Sequence, residues 1–404
     1  MPKACYMFFY EGYVSLAPTI LNLSKLLDKC GYIVTILATQ NNEIPQPAKI
    51  GNRVKVRYFP KIIKLYLFFE QPRLRILVRI VEVFIFCFQS FAYLLQSNHR
   101  REKIKTNINI AIDLHGSVVA LLWFYFFKHK FIFLSLELEQ PRKFKYISKP
   151  FSKIAKLAYK KSAGVIVQDE DRFKTLCEYY QYQHPQVFYL PNSTLNDWVP
   201  DAKAAQFLRD KFNLSSAEFP YIVLYAGQLN DVVYSKALAH AFASIDNGCA
   251  LIFHGVDPRG LKEKAPYIQS LRQVNSKNLF LSLNLLPHDQ VDKIYASSTI
   301  GIAFYANPDD NHTKIAMASG KLAQYLKHGK PVLVSNFTSL SQLVEKYQIG
   351  IVINDPSDVQ EIKVAIDKIL IDYDRYSKNA KYCFEAEFDF AKKMEPILSF
   401  MNSL

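Results

Sequence analysis

Short, almost purely apolar runs recur along this chain, each followed by a stretch with helical spacing. In the first half they fall at residues 4–9, 32–38, 108–114, 131–136, 165–168 and 187–190. In the second half YIVLYAG (221–227), ALIFHG (250–255), TIGIAFY (299–305) and the run 332–334 continue the series. Runs without polar alternation predict strands covered on both faces, as in parallel sheets. Between them, residues 19–29 and 152–163 carry apolar positions at amphipathic helical spacing. Strand-like and helix-like segments in alternation predict an α/β protein throughout.

The chain is 404 residues long and half of it is apolar, more than one core usually organises. A polar, Asp- and Asn-containing stretch at 191–216 interrupts the pattern. We therefore expect a first Rossmann-like domain over 1–195, a linker over 196–218, a second domain over 219–380 and a C-terminal amphipathic helix over 381–404. No internal repeat or low-complexity tract is evident.

Charge divides the chain in the same place. The whole sequence has 50 Lys and Arg against 36 Asp and Glu, a net charge of +14. Residues 1–200 hold 28 of the bases and 14 of the acids, so the entire excess lies in the first domain. Within it, 140–161 (QPRKFKYISKPFSKIAKLAYKK) has eight basic residues and no acid, interleaved with aromatic and aliphatic side chains. That composition points to an anionic membrane surface. A solvated basic face is the plainer alternative; nucleic acid is not expected, because no nucleic-acid-binding module accompanies the charge. Residues 62–95 are dense in aromatics, and 76–95 approach the length of a membrane span. Arg79, Glu82 and Gln89 argue against spanning, leaving a buried helix or a patch that dips into the interface. No N-terminal signal pattern is seen, and the six cysteines (Cys5, Cys30, Cys87, Cys177, Cys249, Cys383) lack paired spacing, which suits a reducing cytoplasm.

The densest chemistry lies at 307–354. Ser319-Gly320-Lys321 opens a helical pattern that His328-Gly329-Lys330-Pro331 closes before the strand at 332–334. A helix N-terminus presents free amides and a partial positive charge to an anion, and Lys321 adds a full charge. Ser319 can cap the helix, and Gly320 leaves room for a phosphate. One turn on, Gln324 and Tyr325 are placed to hold a ribose or a base. Taken alone, a Gly-Lys-Pro turn between helix and strand is ordinary α/β punctuation. Here the runs ending at Gly227, Gly255 and Tyr305 precede it in order, and ligands bind such sheets beyond the carboxyl ends of their strands.

This Lys-Leu-x-x-Tyr-Leu helix followed by Gly-Lys-Pro-Val resembles the donor segment of the large retaining glycosyltransferase family 4, also called glycosyl transferases group 1, of GT-B fold. The resemblance implies two Rossmann-like domains facing across a cleft, with the C-terminal helix crossing back to the first domain. It implies a nucleotide-sugar donor held in the second domain by Gly227, Lys236, His254, Ser319, Gly320, Lys321 and Gln324, and no cofactor or metal. Two departures stand out. Many members carry acidic residues where this chain has Ala316 and Gln324, so charge-assisted sugar and ribose contacts are missing. The Arg that often follows the first strand of this half is Gln228 here, and Lys236 lies further along than usual.

In the first domain, Glu11-Gly12 follows a strand, and Gly12 allows close approach of a donor phosphate or an acceptor. Asp113-Leu114-His115-Gly116 follows another, and Glu137 and Glu139 a third. A carboxylate can stabilise positive charge on the reacting sugar or position the acceptor hydroxyl; His115 suits acid–base work near neutrality. Glu137 is preferred, because its place matches the family's residue near the reaction centre, with His115 and Glu139 next. Asp169-Glu170-Asp171 has metal-motif spacing, yet it precedes a helical run and reads as a cap. Asp309-Asp310 reads as a solvated turn, and the histidines form no metal-ligand pair. P-loop and dinucleotide-binding glycine patterns are absent, against a nucleotidase or dehydrogenase.

The sequence thus predicts a cytoplasmic glycosyltransferase, peripheral on the inner face of the membrane. It would act on a lipid-linked, polysaccharide or other glycan-precursor acceptor. A sugar-nucleotide epimerase of the same fold and a non-catalytic GT-B-fold binding protein are the alternatives.

Overall fold

The computed structural model describes residues 3–40, 46–47, 49–60, 72–99, 107–138, 148–245, 247–256, 262–284 and 286–404. They form two compact units, Met1–Pro191 with Ala391–Leu404, and Asn192–Phe390.

The first unit is built on a seven-stranded, wholly parallel sheet. Its strands are β1 (Lys3–Phe9), β2 (Tyr32–Thr39), β3 (Val54–Phe59), β4 (Asn107–Ile112), β5 (Phe131–Leu134), β6 (Gly164–Val167) and β7 (Val187–Tyr189), in the order β3-β2-β1-β4-β5-β6-β7. Cys5, Met7, Phe8 and Phe9 in β1 are buried on both faces, as the unbroken apolar run requires. The second unit holds β8 (Tyr221–Gln228), β9 (Cys249–Val256), β10 (Leu279–Ser282), β11 (Ile300–Ala303), β12 (Val332–Ser335) and β13 (Gly350–Ile353), in the order β10-β9-β8-β11-β12-β13. Each sheet runs outward in both directions from its first strand, so β1/β4 and β8/β11 are the topological switch points, where crevices open beyond the strand ends.

Strands β3, β10 and β13 were not evident from the apolar runs, and all three lie at sheet edges. In β3 the alternation Val-Lys-Val-Arg-Tyr-Phe reflects that position. The stretch 196–218, expected as a linker, contains the helix Ala202–Phe212, and its Leu208 and the following Leu214 join the core of the second unit.

The last helix, Phe390–Ser403, serves the first unit. Lys3 Nζ and Tyr32 Oη both donate to Asn402 Oδ1, at 2.7 and 3.0 Å, and the Phe400 ring lies 5.0 Å from that of Phe188. On one side of the same sheet the helix Pro72–His99 packs on Asp113–Phe127, which packs on Ser148–Lys161. Residues 72–99 form neither a fully buried helix nor a span. Val83, Phe86, Cys87 and Leu94 are buried while Val81, Phe84, Phe88 and Leu95 are exposed. Among the described residues no helix is long and apolar enough to cross a membrane.

Candidate active site

In the second unit the switch point gathers much of the predicted donor set. The helix Gly320–Lys327 starts as its sequence suggests: Ser319 Oγ accepts from Leu322 N at 3.2 Å and is fixed by Tyr305 Oη at 2.6 Å. Asn192 lies beside Gly320, with its amide donating to Ala318 O at 3.1 Å. Lys321 reaches back over the end of β8, where its Nζ lies 4.0 Å from the ring centre of Tyr225 and 4.5 Å from that of Tyr305. Burial between these rings lowers its ammonium to about 7. A Cβ on Gly227, which has φ +139°, would lie 4.0 Å from the same nitrogen, so Gly227 and Lys321 share one small space. Nothing in the sequence marks Tyr225, in the middle of β8, or Tyr305, just beyond β11, as the walls of the Lys321 site.

Tyr325 does not face a ligand. It is fully buried; its hydroxyl donates to Leu224 O at 2.8 Å and accepts from Ala226 N at 3.0 Å. Its ring covers Gly301, where a Cβ would come within 2.3 Å of it. Strands β8 and β11 stop pairing after Leu224 and Gly301, and this hydroxyl takes over the backbone groups left open as they diverge. Gln324 is buried, and among the described residues its Oε1 has no hydrogen-bond partner, leaving an acceptor in reserve. Ala316 is buried.

His254 is engaged elsewhere. Its Nδ1 lies 2.9 Å from Ser282 Oγ, which also accepts from Lys211 Nζ at 2.6 Å. Burial, reinforced by the Lys211 charge, pushes the imidazole down to about 4, so it is neutral at physiological pH. Lys236 is exposed in the first turn of the helix Ser235–Ser244. At the other end of Gly320–Lys327, Asp292 accepts an ion pair from Lys327 at 2.9 Å and contacts His328 Nε2 at 2.8 Å. These residues anchor the helix, and Lys327 and His328 line a separate cavity of about 470 Å³ with Trp198, Lys330 and Lys381.

In the first unit, His115 lies at the β1/β4 switch point. Its Nδ1 is 3.5 Å from Glu11 Oε1 and its ring 4.7 Å from that of Tyr10, whose hydroxyl donates to Glu82 at 3.2 Å. Gly12, at φ +80°, uses its missing side chain to pass the backbone of Thr39; a Cβ there would fall 2.1 Å from Thr39 O. Its glycine character therefore has a packing cause. Asp113 adopts φ 52° as β4 turns into its helix, and its Oδ1 accepts from Leu136 N at 2.7 Å and Glu137 N at 3.1 Å. Rather than capping its own helix, Asp113 clamps the turn after β5. Arg172, buried beneath, donates to Leu136 O at 3.0 Å and feels the charges of Glu137, Asp169 and Asp113. Glu137 itself is exposed, one strand away from the switch point. Glu139 lies outside the described residues, as do residues 140–147 of the basic run.

The two acidic patterns are caps. Asp169 accepts from Arg172 N, and Asp309 accepts from Asn311 N while meeting His312 Nδ1 at 2.8 Å. Among the described residues no group of three or more His, Cys, Asp or Glu is close enough to hold a metal ion.

Residues 267–386 match the family model of the glucosyltransferase 3-like C-terminal domain, covering the helix Gly320–Lys327 and its flanking strands. No curated protein matches the chain by sequence. Among solved structures it is similar to HepE of Anabaena in complex with UDP and glucose, at 14% identity and TM-score 0.71 over 100% of both chains. It is also similar to sucrose-phosphate synthase of Thermosynechococcus elongatus (15% identity, TM-score 0.69, 99% of this chain and 98% of that one). A glycosyltransferase of Rickettsia africae gives 12% identity and TM-score 0.70 over 100% and 99%. The architecture is the GT-B fold.

Proposed function

We propose that this chain is a glycosyltransferase that binds a nucleotide-sugar donor at the β8/β11 switch point and transfers the sugar to a glycan-precursor or lipid-linked acceptor. The observation that carries the reading is Lys321. It projects from a capped helix N-terminus to the glycine at the end of the first strand, within the segment that matches a glycosyltransferase domain. A diphosphate placed there meets a helix dipole, backbone amides and one ammonium, all of which favour the charge that builds on the leaving group. The Gln324 carbonyl offers a ribose hydroxyl its acceptor. Because HepE was solved with UDP and with UDP-glucose, uridine sugar nucleotides are the first donors to test. Retention of configuration without a metal is part of the proposal.

On the acceptor side, we assign general acid–base or positioning work to His115 paired with Glu11, since they occupy the switch point of their own sheet. Glu137 is the second candidate, steadied by Asp113 and Arg172. We also propose that the protein works in the cytoplasm on an anionic membrane surface, the membrane part of this reading being supported by the basic excess of the first 200 residues.

A non-catalytic reading has one observation behind it: Ala316 and Gln324 supply no carboxylate. Incubation with labelled sugar nucleotides and membrane extract decides between them. Transfer, or slow release of free sugar, supports the transferase; isomerised donor supports an epimerase; binding without turnover supports the non-catalytic protein.

A further inference from the structure

Three consecutive helices of the first unit, Pro72–His99, Asp113–Phe127 and Ser148–Lys161, lie side by side on one face of its sheet. Together they contain two acidic residues, Glu82 and Asp113, and both are buried. The first helix carries Arg73, Arg75 and Arg79 in sequence, and the third carries Lys149, Lys153, Lys156, Lys160 and Lys161. Lys128 follows the second, its ammonium 5.9 Å from the rings of both Phe124 and Tyr125.

Among the described residues the first two helices also expose apolar side chains. Val81, Phe84, Phe88 and Leu95 are exposed at spacings of three, four and seven, which puts them on one stripe of the first helix. Leu122, Tyr125 and Phe126 are exposed on the second helix, and the Phe91 and Phe126 rings meet at 5.3 Å across the two. Phe88 is 75% exposed and Phe126 68%. A run of large aromatics left in water this way marks a binding surface.

We propose that this aromatic ridge inserts into the interfacial region of an anionic bilayer, with the lysines of the helix Ser148–Lys161 on the lipid headgroups. It rests on the membrane part of the function above, and goes beyond it: the basic helix Ser148–Lys161 and the apolar helix Pro72–His99 act as one surface instead of alternatives. Charge selects the occupant. A second copy docked face to face would set the same cationic helices against each other, whereas anionic headgroups neutralise them.

The test uses the full chain and vesicles of phosphatidylcholine with or without phosphatidylglycerol. Wild type is expected to float with the anionic vesicles only, and to keep part of that binding at high salt, where purely electrostatic contacts release. The triple variant Phe84→Ser/Phe88→Ser/Phe126→Ser should bind them about tenfold or more weakly, since insertion scales with buried apolar area. All three positions are exposed, so folding should be kept. Fluorescence of Phe88→Trp should be quenched by lipids brominated along the acyl chain. Wild-type binding by the triple variant, unquenched Phe88→Trp, or complete release by salt would overturn the proposal. So would a wild-type dimer that the triple substitution dissociates without any lipid binding. Binding of UDP-glucose, measured on the same proteins, separates this outcome from failure of the transferase reading: the triple variant should keep it unchanged.

Discussion

Lys321 shows how much a single residue can carry and what the sequence left out. Its position after Ser-Gly at a helix start was readable, but the two tyrosine rings that enclose it lie 96 and 16 residues away, in β8 and in the loop after β11. Burial there lowers its ammonium to about 7, which yields a pH signature. A bound diphosphate favours the charged lysine and raises that value, so donor binding should take up a proton. Affinity for UDP-glucose, whose diphosphate has no group titrating near neutrality, should therefore fall as pH rises through about 7. Calorimetry in buffers of different ionisation enthalpy would detect the uptake; an affinity flat across that range would mean Lys321 does not meet the diphosphate. Gln324 should behave differently. Gln324→Ala removes a neutral hydrogen bond to the ribose, so uridine and UDP-glucose should weaken alike, by about 0.5–1.5 kcal/mol. His254, expected at the donor, shows the limit of one-dimensional reading: it stands at a strand end, but its partners Ser282 and Lys211 come from β10 and a helix in the supposed linker.

At the scale of elements, apolar periodicity revealed the central strands, because burial on both faces leaves no polar positions to confuse the pattern. Edge strands β3, β10 and β13 escaped it, each being only partly buried along its length. The role of Tyr325 was equally hidden, since nothing local signals that β8 and β11 part company beneath it. Tyr325→Phe should destabilise the second unit by about 1–3 kcal/mol, the cost of leaving buried backbone groups unpaired; an unchanged denaturation midpoint would show that other groups satisfy them. The β9–β10 contact adds a pH dependence. The imidazole of His254 is at about 4 in the fold, below its ordinary 6.5. Its contribution to stability is therefore complete above about 6.5 and lost progressively as pH falls towards 4. Wild type should lose more stability than His254→Asn on acidification across that window; parallel losses would exclude His254 as a cause.

For the whole molecule, sequence alone showed two α/β units and a charge excess confined to one of them. What it could not show is that the basic helix and the aromatic helix share a face, because a third helix separates them in the chain. Nor could it show that Asp113 holds the turn before Glu137 while His115 meets Glu11, which moves the emphasis on the acceptor side. Glu11→Gln and His115→Ala should each depress turnover with little change in donor affinity; if only Glu137→Gln does so, the reaction centre belongs to the β5 turn.

As proposed, the helix beginning at Gly320 receives a nucleotide diphosphate through Lys321. Titration calorimetry of UDP-glucose and of uridine against wild type and Lys321→Met tests it most directly, since methionine keeps the aliphatic stem between the rings and removes only the charge. Wild type should bind UDP-glucose far more tightly than uridine, and the variant should lose about 1.5–3 kcal/mol for UDP-glucose while binding uridine as before. Equal loss for both ligands, or no loss for either, would contradict the account.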